Sequence, residues 1–202
     1  MAGPPRLALA AVAIIILVAV GAAYLVFFKR GSGVGPPPLP GYLEGVEKII
    51  EVSSPVFSEG SRIPARYTCD GEDVSPPLRV EGVPEGAESL VVVVYDPDAP
   101  RGWFTHWILY DVPATVNEVP EAVPPEPLVE GLGAQGVNDF GRLGYGGPCP
   151  PRGLGAHRYV VLVIALDTPS LNLPPGAALE DVETAMAGRI IGYGYTYFTY
   201  SR

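Results

Sequence analysis

Residues 89–113 read SLVVVVYDPDAPRGWFTHWILYDVP, two apolar runs separated by a proline-containing loop. The first run, Ser89–Tyr95, is continuous and β-branched, which is typical of a strand buried on both faces. Pro97 and Pro100 cannot continue a central ladder, so this strand is predicted to end at DPDAP. The second run, His106–Val112, predicts another strand. Polar residues therefore lie at the point where one strand ends and the next begins.

Further strands are predicted on both sides of this stretch. His157–Leu166 (HRYVVLVIAL) is the longest, and Arg189–Tyr200 alternates in polarity and closes the chain. Lys48–Ser53, with Val56–Phe57, is expected to form an opening strand. Arg62–Tyr67 also alternates.

One helix is predicted, over Ala178–Ala187, from the spacing of its apolar residues. Helical patterns do not alternate with the strands, which disfavours a βαβ fold. The chain contains 25 glycines and 24 prolines, many of them in irregular loops such as Cys69–Leu78. These features predict a mainly β protein, an antiparallel two-sheet β-sandwich with one or two peripheral helices.

The amino terminus has a different composition. Leu7–Phe28 contains 22 apolar or small residues without a charge, and a helix of that length spans about 30 Å of hydrocarbon. We interpret residues 1–30 as an N-terminal transmembrane anchor. A cleaved signal peptide usually has a shorter core and a small-residue cleavage site, whereas Tyr24–Phe28 is bulky. A buried soluble helix is the third alternative, but it need not be apolar on every face.

Residues 31–41 (GSGVGPPPLPG) are predicted as a linker, flexible at its glycines and extended at its prolines. Residues 42–202 then form a single β domain. Arg6 on one side of the anchor nearly balances Lys29 and Arg30 on the other, so positive charge barely sets the orientation. We expect a single-pass membrane protein whose folded domain is extracytoplasmic.

Charge excludes one class of partner. After residue 30 the chain has ten basic and 22 acidic residues, a net charge of −12, and no basic stripe. Nucleic acid is therefore not an expected partner. The two cysteines, Cys69 and Cys149, are too few for a disulfide framework and do not form a CxxC motif. One bridge between them is possible in an oxidising compartment, but the sequence does not give their separation.

The chain has only two histidines, and each lies where a glycine- and proline-containing loop enters a strand. Because side chains alternate along a strand, His157 and Tyr159 are predicted to share one face. The same rule places His106 beside Ile108 and Tyr110.

The loop before His157, Gly136–His157, contains seven glycines and three prolines in 22 residues. Such a loop can direct backbone N–H groups inward as an anion-binding concavity. Asp96, at the end of its strand, can accept a hydrogen bond from a histidine. Each feature alone is typical of an ordinary loop or structural residue. Together they predict a pocket for a small anion such as a phosphate or carboxylate.

Two longer motifs carry a family resemblance. DPDAP followed by HW, and GxNDFGxxGYxGPCPPxGxxxHRYxxxxxALD, resemble the signature blocks of the phosphatidylethanolamine-binding protein family. CDGEDVSPPL resembles the prokaryotic, Raf-kinase-inhibitor-like members. The resemblance covers Val52–Arg202 and implies a large antiparallel sheet packed on a smaller one, with a helix near the carboxyl end.

The resemblance also implies a ligand-binding pocket. The short linker RGWFT suggests that Phe104 or Trp103 supplies an aromatic wall. The residues that match the family's pocket, with that wall, are Asp96, Ala99, Pro100, Phe104, His106, Gly147, Cys149, Pro150, Pro151, His157 and Tyr159. The expected ligand is a phosphate or a phosphorylethanolamine-like head group of a phospholipid. We expect a binding protein without a cofactor.

Two alternatives remain at this stage. Some relatives inhibit serine proteases, and Asn117–Pro127 (NEVPEAVPPEP) is a proline-rich segment that could present an inhibitory loop to a protease partner. Catalysis would need Cys149 and His157 as a nucleophile pair, or Asp96 and the two histidines as a metal site. HExxH, HxH and GxSxG motifs are absent from the sequence.

Overall fold

A computed structural model of the chain describes residues 35–202. The predicted anchor lies outside these residues and stays a prediction. Among the described residues, none of the helices has the length and apolar character needed to span a bilayer.

In residues 35–202 the chain forms nine strands and one α-helix, α1, with 3₁₀ turns at Gly41–Leu43 and Ala65–Tyr67. In chain order the elements are β1 (Glu51–Ser53), β2 (Leu78–Glu81), β3 (Ser89–Asp96), β4 (Phe104–Pro113), β5 (Glu118–Val119), β6 (Leu128–Val129), β7 (Gly133–Gln135), β8 (His157–Leu166), α1 (Leu179–Met186) and β9 (Ile190–Tyr200).

The strands form two antiparallel sheets. The larger has the order β6-β7-β4-β3-β8-β9 and the smaller β1-β2-β5. In the larger sheet β3 is central and pairs with β4 on one side and β8 on the other. Every residue of β3 is buried, as its unbroken apolar run predicts. The mainly β, two-sheet architecture expected from the sequence is confirmed.

The large sheet has a hydrophobic core on each face. One face packs against the small sheet through side chains such as Trp107, Tyr159 and Phe198. The other is covered by α1, through Val182 and Met186. The residues placed in the linker also contribute to this second core. Pro37 is buried, and the Tyr95 hydroxyl donates a 3.0 Å hydrogen bond to the Pro38 carbonyl.

The long elements lie close to the bounds that the sequence predicts, whereas the short strands do not. The helix and the β8 and β9 strands lie within one residue of their predicted bounds. The opening strand is shorter than predicted, because Lys48 makes only an isolated bridge to Tyr193 and Val56–Phe57 is not a strand. Arg62 likewise makes only an isolated bridge, to Thr199. The two- and three-residue strands β5, β6 and β7 lack an apolar pattern that would predict them.

One irregularity of the β3–β4 pair decides the position of His106. Val94 pairs with Trp107, but Tyr95 pairs with Thr105, so His106 is the extra residue of a β-bulge. The bulge turns its ring toward Tyr159, on the face of the small sheet. The prediction that His106 shares a face with Ile108 and Tyr110 is therefore wrong, since those two residues pack in the other core.

Candidate functional site

A pocket of about 190 Å³ opens at the end of the large sheet where β3 ends and β4 and β8 begin. Because β3 runs antiparallel to β4 and β8, its last residues lie at the same end of the sheet as their first residues, although these residues are distant in sequence. The side chains that line it are Asp96, Ala99, Pro100, Phe104, His106, Phe140, Cys149, Pro150, Pro151, His157 and Tyr159. Ten of these eleven residues are among the site residues predicted from the sequence.

Asp96 and His157 form a buried pair at the base of the pocket. The Nδ1 atom of His157 lies 2.8 Å from Oδ2 of Asp96, and the other carboxylate oxygen accepts the Asp98 N–H at 2.8 Å. Because a carboxylate only accepts hydrogen bonds, Nδ1 of His157 carries a proton. Its Nε2 atom makes no hydrogen bond within the described protein and is left for a ligand.

Asp98 also connects the loop after β3 to β8. Its carboxylate accepts hydrogen bonds from the backbone N–H and the guanidinium of Arg158. These bonds to Arg158 hold the pKa of Asp98 below its ordinary value. The end of β3 and the loop after it are thereby joined to the start of β8 at two consecutive residues, His157 and Arg158.

His106 is the second histidine that lines the pocket. Its Nδ1 atom is hydrogen-bonded to the Gly146 carbonyl, an acceptor only, so this nitrogen carries a proton. Burial lowers the pKa of the ring below its ordinary value of 6.5. His106 is therefore neutral at pH 7, and its Nε2 is an acceptor. It can receive a hydrogen bond from an ammonium group or from the hydroxyl of a hydrogen phosphate.

The hydroxyl of Tyr159 is buried close to the Asp96 carboxylate, but it makes no hydrogen bond of good geometry to any described residue. Burial, and then the charge of Asp96, raise the pKa of this phenol, so the hydroxyl keeps its proton. A buried hydroxyl without a partner costs about 1–3 kcal/mol. The pocket thus contains a hydrogen-bond donor for which a bound ligand can supply the acceptor.

The remaining walls are apolar. Phe104 and Phe140 pack edge to face with each other and with His106, at centroid distances of 4.7 to 5.3 Å. Of the two aromatic residues proposed for the wall, Phe104 takes that place. Trp103 instead stacks on Tyr95, which packs in the other core.

The loop that precedes β8 is held by side chains rather than by regular structure. The Oδ1 atom of Asn138 accepts hydrogen bonds from the N–H groups of Phe140 and Arg142, and its Nδ2 atom donates one to the Gly144 carbonyl. Sequence reasoning missed Phe140 as a lining residue. The NDFG segment of the quoted motif contained it, but apolar residues of such loops do not stand out from neighbouring ones.

Gly147, a predicted ligand-binding residue, is not among the lining residues. Its N–H donates to Oδ1 of Asp73 at 2.6 Å, and a Cβ atom here would lie 2.6 Å from the Tyr67 carbonyl oxygen. Gly146 donates its N–H to the His106 carbonyl. The expected inward N–H groups are therefore wrong for these two glycines, and the prolines of the same loop have no N–H.

Cys149 forms a disulfide with Cys69, with Cα atoms 5.4 Å apart. The bridge ties the pocket loop to the turn after Ala65–Tyr67. A Cys149–His157 nucleophile pair is therefore excluded, since the sulfur is not a free thiol. In the described part of the chain, no three His, Cys, Asp or Glu side chains are grouped in a way that could hold a metal ion.

The proline-rich segment Asn117–Pro127 is anchored to the domain. It contains β5, the Val123 N–H donates to the Ser75 hydroxyl, and Gln135 donates to the carbonyls of Pro124 and Glu126. These bonds restrict the segment along much of its length. Protease inhibition through it stays a prediction.

The chain is similar to known proteins in both sequence and structure. The model of a family described as phosphatidylethanolamine-binding protein matches residues 53–201. A UPF0098 protein of Aquifex aeolicus is 53% identical over 154 residues, which are 76% of this chain and 90% of the relative.

Two solved structures are also similar. A phosphatidylethanolamine-binding protein homologue from Chlamydia trachomatis has 35% identity and a TM-score of 0.69, covering 77% of this chain and 99% of its own. YbcL of E. coli, described as a new member of the mammalian family, has 30% identity and a TM-score of 0.68, covering 76% of this chain and 98% of its own.

Proposed function

Since the chain belongs to the phosphatidylethanolamine-binding protein family, we propose that its pocket binds a small phosphate-class anion, either free phosphate or a phosphorylethanolamine-like head group. The observation that carries the proposal is the buried hydroxyl of Tyr159, which lacks a well-formed hydrogen bond in a pocket lined by both histidines. A phosphate oxygen can accept a hydrogen bond from this hydroxyl. A phosphate that keeps one proton can also donate to Nε2 of neutral His106.

The size and lining of the pocket support a small ligand with a short apolar part. Its 190 Å³ is below the 300–1,000 Å³ or so of sites that enclose drug-sized molecules. Phe104, Pro150 and Pro151 offer surface to a methylene group. A head group fits this description, whereas the acyl chains of a lipid would remain outside.

We propose binding rather than catalysis. Cys149, the one candidate nucleophile, is oxidised in its disulfide. Asp96 and His157 are paired with each other, and this pair can position the Nε2 of His157 toward a bound anion. These groups suffice for recognition by hydrogen bonds.

The proposal includes a membrane tether. Leu7–Phe28 would act as the anchor, with the domain on the extracytoplasmic side. A disulfide is typical of oxidising compartments, although proteins inside hyperthermophiles also contain them. Protease accessibility of the domain in intact cells would test this placement, since a cytoplasmic domain would be protected.

Proton NMR of residues 35–202 provides the test of the pocket. The chain has only two histidines, so their ring signals can be followed directly. Titration with phosphate and with phosphorylethanolamine should shift both His106 and His157. Signals that do not move at millimolar ligand would refute the proposal. Ethanolamine alone is the control that separates recognition of the phosphate from recognition of the amine.

A further inference from the structure

Residues 37–43 pack against the face of the large sheet that α1 also covers. Leu43 is buried in that core, Leu39 and Tyr42 are partly buried against it, and Pro37 is buried as well. We call residues 37–43 the strap. The strap lies outside the part of the chain that the family model matches, so its role must follow from its own contacts.

The strap has the composition and the backbone of a polyproline II segment. It reads PPLPGYL and directly follows Pro36. Pro40 has φ −58° and ψ 141°, near the values of about −75° and +145° for that conformation. Proline-rich segments lose little conformational entropy on docking, and in many recognition domains they bind to aromatic side chains.

Tyr95 is the aromatic partner of the strap. Its hydroxyl donates a 3.0 Å hydrogen bond to the Pro38 carbonyl. Its ring stacks on Trp103, with centroids 4.9 Å apart and an interplanar angle of 14°. Tyr195 and Tyr197 of β9 are partly buried against the same core. The strap therefore binds to an aromatic surface of the sheet, as a proline-rich peptide would.

The attachment of the strap permits release. Its backbone hydrogen bonds, such as that from the Leu43 N–H to the Pro40 carbonyl, close local turns. After the strap, backbone hydrogen bonds to the sheet begin at Glu47, whose carbonyl accepts the Tyr193 N–H. In the described chain no β ladder joins the strap to the sheet. The hydrogen bond from Tyr95 and apolar contacts therefore hold it in place.

Tyr95 also lies at the base of the pocket loop between β3 and β4. This loop leaves β3 after Asp96 and enters β4 at Phe104, and both of these residues line the pocket. Their neighbours Tyr95 and Trp103 stack on each other across the base of the loop. A strap bound to Tyr95 therefore restrains both ends of the loop, one of which carries the hydrogen-bond acceptor of His157.

We propose that the strap is a reversibly bound, intramolecular polyproline ligand, and that its docking positions the loop between β3 and β4 for ligand binding. Docking of the strap and binding of an anion are then coupled, and by linkage each strengthens the other. The coupling to an anion rests on the proposed function. The effect of the strap on the loop does not, because the loop can be observed without a ligand.

Leu43→Ser weakens the strap without changing a pocket residue. Residues 35–202 suit the test, because they contain the compact unit Pro37–Arg202. Without ligand, the emission of Trp103 should shift to the red, and the ring signals of His157 should move. Trp107 is fully buried, so the emission change reports Trp103.

The control for this variant is Leu171→Ser. Leu171 is buried in the same core, near the other end of β4, where its N–H donates to Asp111. Its replacement should lower stability and leave the emission and the histidine signals unchanged. Equal changes in the two variants would show that any loss of core packing disturbs the pocket, and would overturn the proposal.

Tyr95→Phe removes the hydrogen bond to the strap. Phosphate affinity should fall roughly two- to tenfold, which is the net contribution of one hydrogen bond. Tyr110→Phe is the matched control, because the Tyr110 hydroxyl donates to the Pro174 carbonyl in the same core. It should keep its phosphate affinity. Tyr95→Phe should add no further loss to Leu43→Ser, since both act through the strap, and additive losses would contradict this.

A peptide with the sequence of residues 35–46 tests the strap as a ligand. At millimolar concentration it should restore the Trp103 emission and the His157 signals of the Leu43→Ser variant, and a peptide with alanine in place of its prolines should not. Failure of the peptide to restore them, or unchanged signals in both strap variants, would overturn the proposal. If phosphate does not bind the unaltered domain, the proposed function fails, and the ligand-free signals still decide the role of the strap.

Discussion

Asp96 and His157, 61 residues apart in sequence, are joined by a 2.8 Å hydrogen bond between two buried side chains. The bond connects the last residue of β3 to the first residue of β8, at the edge where both strands meet the pocket. Asp96 uses both oxygens as acceptors, one for His157 and one for the Asp98 N–H. The pair therefore fixes the histidine and the loop that carries Ala99 and Pro100 at the same time.

Asp96→Asn tests the role of this pair. An asparagine offers one acceptor oxygen and one NH2 donor, so it keeps both contacts only if the proton of His157 moves from Nδ1 to Nε2; otherwise one partner is lost, at a cost of about 1–3 kcal/mol in stability. We expect weaker phosphate binding in either case, because His157 then has the other tautomer or is no longer fixed. Asp111 also accepts with both oxygens, from Ser170 and Leu171 near the other end of β4. Asp111→Asn should lower stability similarly, and an equal loss of phosphate affinity there would contradict the assignment.

Tyr159→Phe should separate binding from stability. The variant removes a buried hydroxyl that makes no well-formed hydrogen bond, so its unfolding free energy should stay equal or rise by about 1–3 kcal/mol. Its phosphate affinity should fall, since the donor is lost. Denaturant unfolding and phosphate titration measure the two quantities.

The control is Tyr145→Phe, because the buried Tyr145 hydroxyl donates to the Tyr67 carbonyl at 2.8 Å. That variant should lose about 1–2 kcal/mol of stability and keep its phosphate affinity. If Tyr159→Phe were destabilised like Tyr145→Phe, its hydroxyl would have a structural role rather than one in ligand binding.

The sequence predicted the long elements well because their signal is local. The unbroken apolar run of β3, the ten-residue β8 and the apolar spacing of α1 each identify an element without knowledge of its neighbours. The short strands β5 to β7 form because neighbouring strands provide partners: β5 pairs with β2, β7 with Leu109 and Tyr110 of β4, and β6 with β7. That information is not present in two or three residues.

In the candidate site, too, features with a local signal were predicted and features that depend on neighbouring strands were not. The alternation rule placed His157 and Tyr159 together, but it failed at His106, because a bulge depends on the register of two strands. The separation of Cys69 and Cys149 required the fold. Gly147 belonged to the correct loop, yet its importance lies in the close approach of Asp73 and Tyr67 rather than in the pocket.

The disulfide should contribute to both stability and the pocket. It closes a loop with a sequence separation of 80 residues, and such bridges contribute about 2–4 kcal/mol. Cys69→Ser with Cys149→Ser should therefore lower the free energy of unfolding by roughly that amount. Because Cys149 lines the pocket, phosphate binding should also weaken. Denaturant unfolding of the oxidised domain, the reduced domain and the double variant measures the effect. Identical midpoints for the three samples would contradict it.

The protonation of His106 gives the last prediction. Burial lowers the pKa of His106 in the folded protein below its ordinary value of 6.5, despite the opposing hydrogen bond to Gly146. As the pH falls from 6.5 toward the lowered pKa, the unfolded state takes up the proton first, so the folded state loses stability in that window. Well above pH 6.5 the ring is neutral in both states and contributes no pH dependence. A His106→Gln variant should show a smaller stability change across the window.

A bound anion should reverse part of this shift, because negative charge beside the ring favours its protonated form. Saturating phosphate should therefore raise the pKa of His106 in an NMR titration, and by linkage phosphate should bind more tightly as the ring protonates. His157→Gln provides a background with one histidine signal, so the curve belongs to His106 alone. A pKa of His106 at or above 6.5 without ligand, or one that phosphate leaves unmoved, would refute its placement as a desolvated ring in contact with the ligand.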